Sequence, residues 1–426
     1  MHYDATDLQR CASTVIARLF YGQAMLFPNG LRALNHRDFR RFFLAQLVAM
    51  VSGWMHTVAQ SWLVLQLTDS PLLLGLIGTV QFGPILLFSI VTGAFADRVP
   101  KHRLLVATQL VLATLAVTLA ALVASGGIRY WHVAVVAVLA GLTQAFDGPA
   151  RQSFMAEMVG KADLVNAVAL NSASFNAARI VGPAVGGLLI ARFGVVPSFL
   201  VNAIGLLVVA LALLRLRSPR PAPVRRGTTM AQEIAEGVRY ALQTPVIRLV
   251  LGLLFCVSIT VFNFTVYVPL LARHVLGLGA EGFGFLMAAL GVGAVSGALT
   301  VGFRRAPEPS TSTLLATAAL ALTGLLSLSV ARHLWTAVPL LFTTGFFGLI
   351  LAASCNTRLQ LAAPDELRGR MMSLYALVWG GVFPIGAFCV GAMSEAWGVS
   401  TAFFVQGSAG LGGLAALTLW WRRRAR

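Results

Sequence analysis

The groups in this chain that can carry chemistry stand out against long apolar runs. His56 and Gln60 lie one helical turn apart in one run, Asp147 precedes Arg151 by four residues in another, and Asn176 and Arg179 share a third. Ionisable groups at membrane depth are costly and mark ion or substrate pathways by default. Asp147 and Arg179 are expected to share one polar network, with His56 the next protonatable group. At a rise of 1.5 Å per residue the first two differ in depth by roughly 10 Å, so their contact needs Asn176 or a water between them. Two plainer readings compete: a helix-end salt bridge between Asp147 and Arg151, and an interhelical hydrogen bond for His56. Aromatic residues accompany these groups, among them Trp54, Trp62, Phe82, Phe146, Phe175, Phe262, Tyr267, Tyr375 and Trp379, with Asn263 beside them. Aromatics with few charges suit an amphipathic or aromatic organic solute. A sugar or organic anion would call for more polar or cationic groups at mid-depth. The seven His residues are scattered, and no HExxH, GxSxG or GxxxxGK[ST] occurs. Neither an enzyme nor an ATP-driven machine is expected, and neither a metal nor a cofactor.

The elements that must position these residues follow from composition. The chain has 426 residues, 58% hydrophobic and 11% charged, where a soluble domain carries about 25% charged residues. Segments near 42–67, 72–96, 104–124, 131–155, 165–191, 196–214, 247–272, 282–303, 312–331, 335–355, 372–394 and 399–421 are each long enough to cross a bilayer as a helix. They do not alternate as spanning strands would. The fold class is therefore an all-α polytopic membrane protein of twelve transmembrane helices. A net charge of +17 raises the question of nucleic acid, but its placement answers it. With the N-terminus inside, all but Arg129, Arg179, Arg192, Arg273 and Arg332 of the 32 Lys and Arg residues fall in cytoplasmic segments. That is the positive-inside bias, which puts both termini in the cytoplasm. The partners expected are the bilayer, a small-molecule substrate and protons, with no nucleic acid and a monomeric state. Cys11, Cys256, Cys355 and Cys389 form no pair in an outer loop, so no structural disulfide is expected. No cleavable signal peptide is expected either, since Arg18 interrupts the apolar stretch 15–27; Met25 is an alternative start.

The chain reads as one unit written twice. At an offset of 204, Gly93 and Ala94 match Gly297 and Ala298, Trp131 matches Trp335, Gly141 matches Gly345, Gly187 matches Gly391, Gly194 matches Gly398 and Phe199 matches Phe403. Each copy holds six spans, and because six is even the repeat is parallel. The domains are a cytoplasmic segment (1–37), a six-helix bundle (38–214), a cytoplasmic linker (215–246), a second bundle (247–421) and a basic tail (422–426). The linker opens with Pro and Arg. From Thr229 to Gln243 it reads as an amphipathic helix on the membrane surface, with Met230, Ile234, Val238 and Leu242 every four residues.

Between the second and third spans runs GAFADRVPKHR, residues 93–103, basic and opened by one acid. It resembles the loop signature of the major facilitator superfamily. Gly182, Pro183, Gly186 and Gly187 form GPxxGG, similar to the antiporter motif of that superfamily's drug and proton exchangers. FDGPARQSF (146–154) and NAARIVGPAVGG (176–187) look most like its twelve-span exporters of siderophores and macrolides. The resemblance covers roughly residues 38–421. It implies a secondary transporter working by alternating access, with spans one and four lining a central cavity. It also implies a gating role for Gly93, Asp97, Arg98, Lys101 and Arg103, with Asp97 latching onto the start of span eleven near Arg370–Ser373. His56, Gln60, Asp147, Arg151, Asn176, Arg179, Asn263, Tyr375 and Trp379 are then the proton and substrate candidates. Two departures are visible: the second copy carries Val301 where Asp97 would repeat, and the Arg that many antiporters carry in span four is missing. The function expected is export of a drug-like or siderophore-like solute by proton antiport from the plasma membrane. The alternatives are a lipid or lysolipid translocator of the same fold and, from another class, a membrane sensor or enzyme.

Overall fold

Hydrocarbon offers the backbone no hydrogen-bond partner, so an apolar run of this length must satisfy its amides within itself, as a helix does. The computed structural model describes residues 29–96, 99–216, 230–303 and 308–425, and the apolar runs in it are helical. Among the described residues, 12 helices are long and apolar enough to cross a membrane. They are α1 (Arg37–Thr68), α2 (Pro71–Ala96), α3 (Lys101–Ala124), α4 (Tyr130–Gly160), α5 (Ala162–Phe193), α6 (Val196–Leu214), α7 (Pro245–Val275), α8 (Ala280–Gly302), α9 (Thr311–Val330), α10 (Leu334–Ala362), α11 (Arg370–Trp397) and α12 (Val399–Arg424). Large apolar side chains such as Leu87, Phe193 and Trp335 point outwards, which suits a surface solvated by lipid. Six spans bring each half, α1–α6 and α7–α12, back to the face it began on. Both chain ends therefore share one face, here the termini face.

Sequence punctuation sets the breaks. Gly160, at φ 68°, turns the chain between α4 and α5. α7 is interrupted after Thr260 and resumes at Phe264. The Asn263 side chain caps this break, its Nδ2 donating to the carbonyls of Ile259 (2.9 Å) and Ser258 (3.3 Å). α11 changes course at Val382, just before Pro384, which has no N–H to continue the ladder. The linker contributes the helix Met230–Gln243. Gly237 and Ala241 are buried, with Gly237 against Arg370 and Met371, while Val238 and Leu242 of the apolar stripe are exposed. A helix pinned against the second half by Gly237 and Ala241 leaves Val238 and Leu242 at the surface.

Contacts between repeat equivalents locate the internal axis. Ser61 Oγ donates to the Thr265 carbonyl at 3.1 Å, and Arg273 Nε donates to Asp69 Oδ1 at 2.5 Å, each pair 204 residues apart. A residue that touches its own equivalent lies on the pseudo-two-fold axis. Glycine contacts then correct the register of one span. A β-carbon on Gly391 would lie 2.9 Å from Gly75 Cα, and one on Gly187 would lie 2.5 Å from Gly284 Cα. Likewise one on Gly141 would lie 2.0 Å from the Gln81 carbonyl, and one on Gly345 2.2 Å from that of Leu290. The pairs match only if Gly284 answers Gly75 and Leu290 answers Gln81, both 209 positions on. α8 thus stands five residues out of the common register, displaced by the longer α7–α8 connection. Gly93 and Ala94 do not correspond to Gly297 and Ala298, and Asp97 counts to Ala306 rather than Val301.

The two halves meet differently at the two faces. Away from the termini, contacts cross between halves: α2 with α11 at Gly75 and Gly391, α5 with α8 at Gly187 and Gly284, Asp69 with Arg273, and Glu395 accepting from Ser70 Oγ (2.7 Å) and the Leu72 amide (3.1 Å). At the termini face the ion pairs among the described residues stay on one side of the molecule. Arg32 and His36 bind Asp163, and Lys101 binds Glu157 at 2.7 Å, all in the first half. Arg358 binds Glu308, and Arg370 binds Glu236 of the linker helix. The largest buried apolar cluster runs through both halves, whereas two smaller ones near the termini face belong to the first half and its lead-in turn.

Candidate functional site

Between the halves lies a cavity of about 420 Å³. α1, α3, α4, α5 and α6 supply most of its wall, and the broken segment of α7 and the bend of α11 close it from the other half. The helix breaks position this second wall. Interrupting α7 after Thr260 brings Phe262, Phe264 and Thr265 to the lumen, and the bend at Val382 does the same for Trp379 and Phe383. The wall carries an aromatic cluster. Trp54 packs against Phe175 and Phe264 with ring centroids 5.7 Å from each, Phe262 packs on Trp379 at 4.2 Å, and Phe82 on Phe383 at 4.5 Å. Of these, Trp54–Phe264 and Phe82–Phe383 cross between the halves and add to the stability of this arrangement beyond simple burial.

Asp147 lines the cavity and is almost fully enclosed. Arg151, one turn on, donates Nε to its Oδ2 at 2.8 Å, and Thr108 Oγ1 and Gln109 Nε2 of α3 each donate to Oδ1 at 2.7 Å. The structure thus assembles the helix-end pair with Arg151. Arg179 is not Asp147's partner, although both line the same space. Arg179 is 8% exposed and makes no ion pair among the described residues. Its guanidinium sits 5.6 Å from the centroid of the Phe264 ring. Asn176 lies on α5 three residues earlier, its side chain outside what is described.

His56 also faces the cavity. Its Nε2 meets Gln60 Oε1 on the same helix at 3.2 Å, and Gln60 Nε2 donates to Gln81 Oε1 of α2 at 2.8 Å. The interhelical bond anticipated for His56 is therefore made one step away, by Gln60. His56 Nδ1 is buried without a partner among the described residues, and the ring stands edge-on to Phe199 at 4.9 Å. Three sequence candidates are not in the cavity lining: Gln60, which bridges His56 to Gln81, and Asn263 and Tyr375. Asn263 is fully buried and committed to the α7 break. Tyr375 donates to the Ala352 carbonyl of α10 at 3.1 Å and stacks on Trp379. Trp62 and Tyr267 are likewise packing residues, Trp62 stacked on Phe283 and Tyr267 edge-on to Phe403. Sequence reasoning passed over Gln46, Gln81, Gln109, Gln144 and Asn202, all of which line the cavity. Their signal was available: neutral amides within apolar spans are costly in lipid and belong inside the bundle.

The marked motifs have separate places. In GPxxGG, a β-carbon on Gly182 would lie 2.4 Å from Trp54 Cβ, and one on Gly186 3.1 Å from Met55 Cα, both on α1. Gly187 is the glycine of the motif that faces the other half. Pro183 lies within α5, its carbonyl beside Gly284. Of the loop motif, Gly93 is in α2, Lys101 opens α3 on Glu157, and Arg103 is exposed; Asp97 and Arg98 lie outside the described residues. Arg370, at the expected docking point of Asp97, is held by Glu236.

Set beside known proteins, residues 29–424 match the model of a family described as transmembrane secretion effector. The chain is 29% identical over 380 residues to the multidrug efflux pump Tap of Mycolicibacterium fortuitum, covering 84% of this chain and 90% of the pump. It is 24% identical to the staphyloferrin A transporter of Staphylococcus aureus (86% and 92% covered) and 27% identical to the enterobactin exporter EntS of Shigella boydii (80% and 81% covered). Its fold is similar to that of a bacterial homolog of the human lysosomal transporter Spinster in an inward-facing and occupied conformation. The TM-score is 0.71 at 15% identity, covering 91% of this chain and 97% of the other. The nucleoside transporter NupG is similar at a TM-score of 0.70 and 10% identity, covering 90% and 98%.

Proposed function

The chain belongs to the transmembrane secretion effector family of major facilitator transporters, and from that membership we propose that it is a proton-coupled exporter of an amphipathic or aromatic small molecule. The observation that carries this reading is the unequal joining of the halves. Contacts across the far side and none among the termini-face ion pairs describe one of the two states that alternating access requires, with the solute cavity sealed from the far side. The basic bias of the termini-side segments supports a cytoplasmic termini face, and the efflux-pump relatives support the plasma membrane. This state is then the inward-open one, ready to load.

In the other state the far-side seam opens and the termini face closes. Asp97 would then compete with Glu236 for the start of α11. Arg370 lies more than a turn inside the helix that opens at Asp365, so the attraction would be that of a surface ion pair, about 0.2–1 kcal/mol, enough to contribute to a balance of a few kcal/mol. GPxxGG serves both tasks, holding α5 on α1 through Gly182 and Gly186 and presenting Gly187 to the seam. His56 and Asp147 are the protonatable groups in contact with the lumen. One proton moving through 100 mV releases about 2.3 kcal/mol, which sustains roughly a 50-fold gradient of a neutral solute.

The test is accumulation of fluorescent aromatic dyes in cells with and without the protein, before and after a protonophore. Lower accumulation that the protonophore abolishes is expected. Accumulation unaffected by the protein across the panel, or lowered equally with the proton gradient collapsed, refutes proton-coupled export.

A further inference from the structure

The ionisable groups of the cavity do not cancel. Asp147 is balanced by Arg151 and held by Thr108 and Gln109. Arg179 is the remaining charge in the lining, and no described carboxylate meets it. It is 8% exposed. A buried charge is tolerated when it is paired and hydrogen-bonded, and a guanidinium presents a planar fork that matches a carboxylate. Its surroundings specify the rest of the ligand. Phe264 lies 5.6 Å from the guanidinium, and Trp54 stands 5.7 Å from both Phe264 and Phe175, so an aromatic platform borders the cation. Four cavity-lining atoms lack a partner among the described residues: His56 Nδ1, Gln46 Oε1, Gln109 Oε1 and Arg151 Nη1. The two amide oxygens accept hydrogen bonds, as hydroxyl or amide groups of a solute would supply.

We propose that Arg179 is the anion-binding residue of the transport site and that the transported class is an aryl-bearing organic acid, its carboxylate on Arg179 and its ring against Trp54 and Phe264. This narrows the solute of the exporter reading and rests on that reading for the identity of the cavity as the transport site. It also revises the expectation that an organic anion calls for more polar or cationic groups at mid-depth: one arginine that no described carboxylate meets is sufficient.

The probes are 2-naphthoate and 2-naphthylmethylammonium, which share a ring and differ in charge. Binding to the full chain in phosphatidylcholine nanodiscs is measured by equilibrium dialysis against empty nanodiscs. The wild type is expected to bind the carboxylate at least tenfold more tightly than the ammonium. Arg179→Gln should erase that preference and Arg179→Lys retain part of it. Asn176→Asp sets a carboxylate three residues before Arg179 on the same helix; it supplies the counter-ion internally and should erase the preference even if Arg179→Gln does not fold. Equal binding of the two probes by the wild type, a preference for the ammonium, or a carboxylate preference that survives in Asn176→Asp or a folded Arg179→Gln overturns the inference. The preference is read without transport, so the two readings fail separately. A carboxylate-selective protein that exports nothing loses the exporter reading alone. A protein that exports both probes equally, whatever residue stands at 179, loses this one alone.

Discussion

Gly187→Ala should move the conformational balance rather than merely weaken the fold. The new β-carbon would lie 2.5 Å from Gly284 Cα, 3.0 Å from its nitrogen and 3.1 Å from the Ala280 carbonyl. Carbon atoms rest at about 3.5–4.0 Å, so α5 and α8 must part locally by about 1 Å. All three obstacles are backbone atoms, and no change of rotamer relieves them. Overpacking of this kind costs about 1–3 kcal/mol, a factor of roughly 5 to 150 in an equilibrium. The seam exists only while the far side is closed, so the cost falls on that state alone and the population shifts towards the open-outward form. Gly182→Ala is the control. Its β-carbon would lie 2.4 Å from Trp54 Cβ and 2.7 Å from the Val51 carbonyl, within one half, so both states bear the penalty. The assay places cysteines at Ser70 and Glu395, whose side chains meet at 2.7 Å across the far side, in a background lacking the native cysteines. The ratio of crosslinked to free chain under mild oxidation should fall at least fivefold with Gly187→Ala and remain near the parent value with Gly182→Ala, whose melting temperature drops instead. An unchanged yield in Gly187→Ala, or an equal fall in both, refutes the reasoning.

Asp147→Asn removes one partner of an enclosed ion pair and should cost about 3–5 kcal/mol, read as a lowered unfolding temperature; adding Arg151→Gln should recover a large part, since it removes the stranded cation. Asn263→Ala exposes the carbonyls of the α7 break at a cost of about 1–3 kcal/mol, and should lower thermal stability, read as the unfolding temperature. His56→Gln and Asp147→Asn, compared for transport at a series of external pH values, should between them abolish proton coupling; coupling intact in the double variant excludes both as the proton carrier. Asp97→Ala should cut transport with protein abundance largely retained on an immunoblot, and full transport in that variant removes the latch.

The primary structure determined the number of spans, their parity and the repeated plan, because each rests on local quantities: the length of an apolar run, the count of helices, the spacing of glycines and aromatics. It also marked Gly187 and Gly391 as equivalents, and both sit on the seam between the halves. It could not determine which face of a span looks inward. Helices apolar all round in a membrane bundle carry little amphipathic signal, so rotation and depth are set by packing. Hence Asn263 and Tyr375, which read like Trp379 in the chain, turn out to serve a helix break and a neighbouring backbone while Trp379 faces the solute space. Tertiary structure alone decided that Asp147 closes on Arg151 and leaves Arg179 its positive charge. It alone revealed the five-residue displacement of α8, because insertions in a connecting loop shift one span without disturbing the pattern of the others. Periodicity and composition are properties of one segment at a time, whereas the balance of charge in a cavity is a property of five or six segments at once.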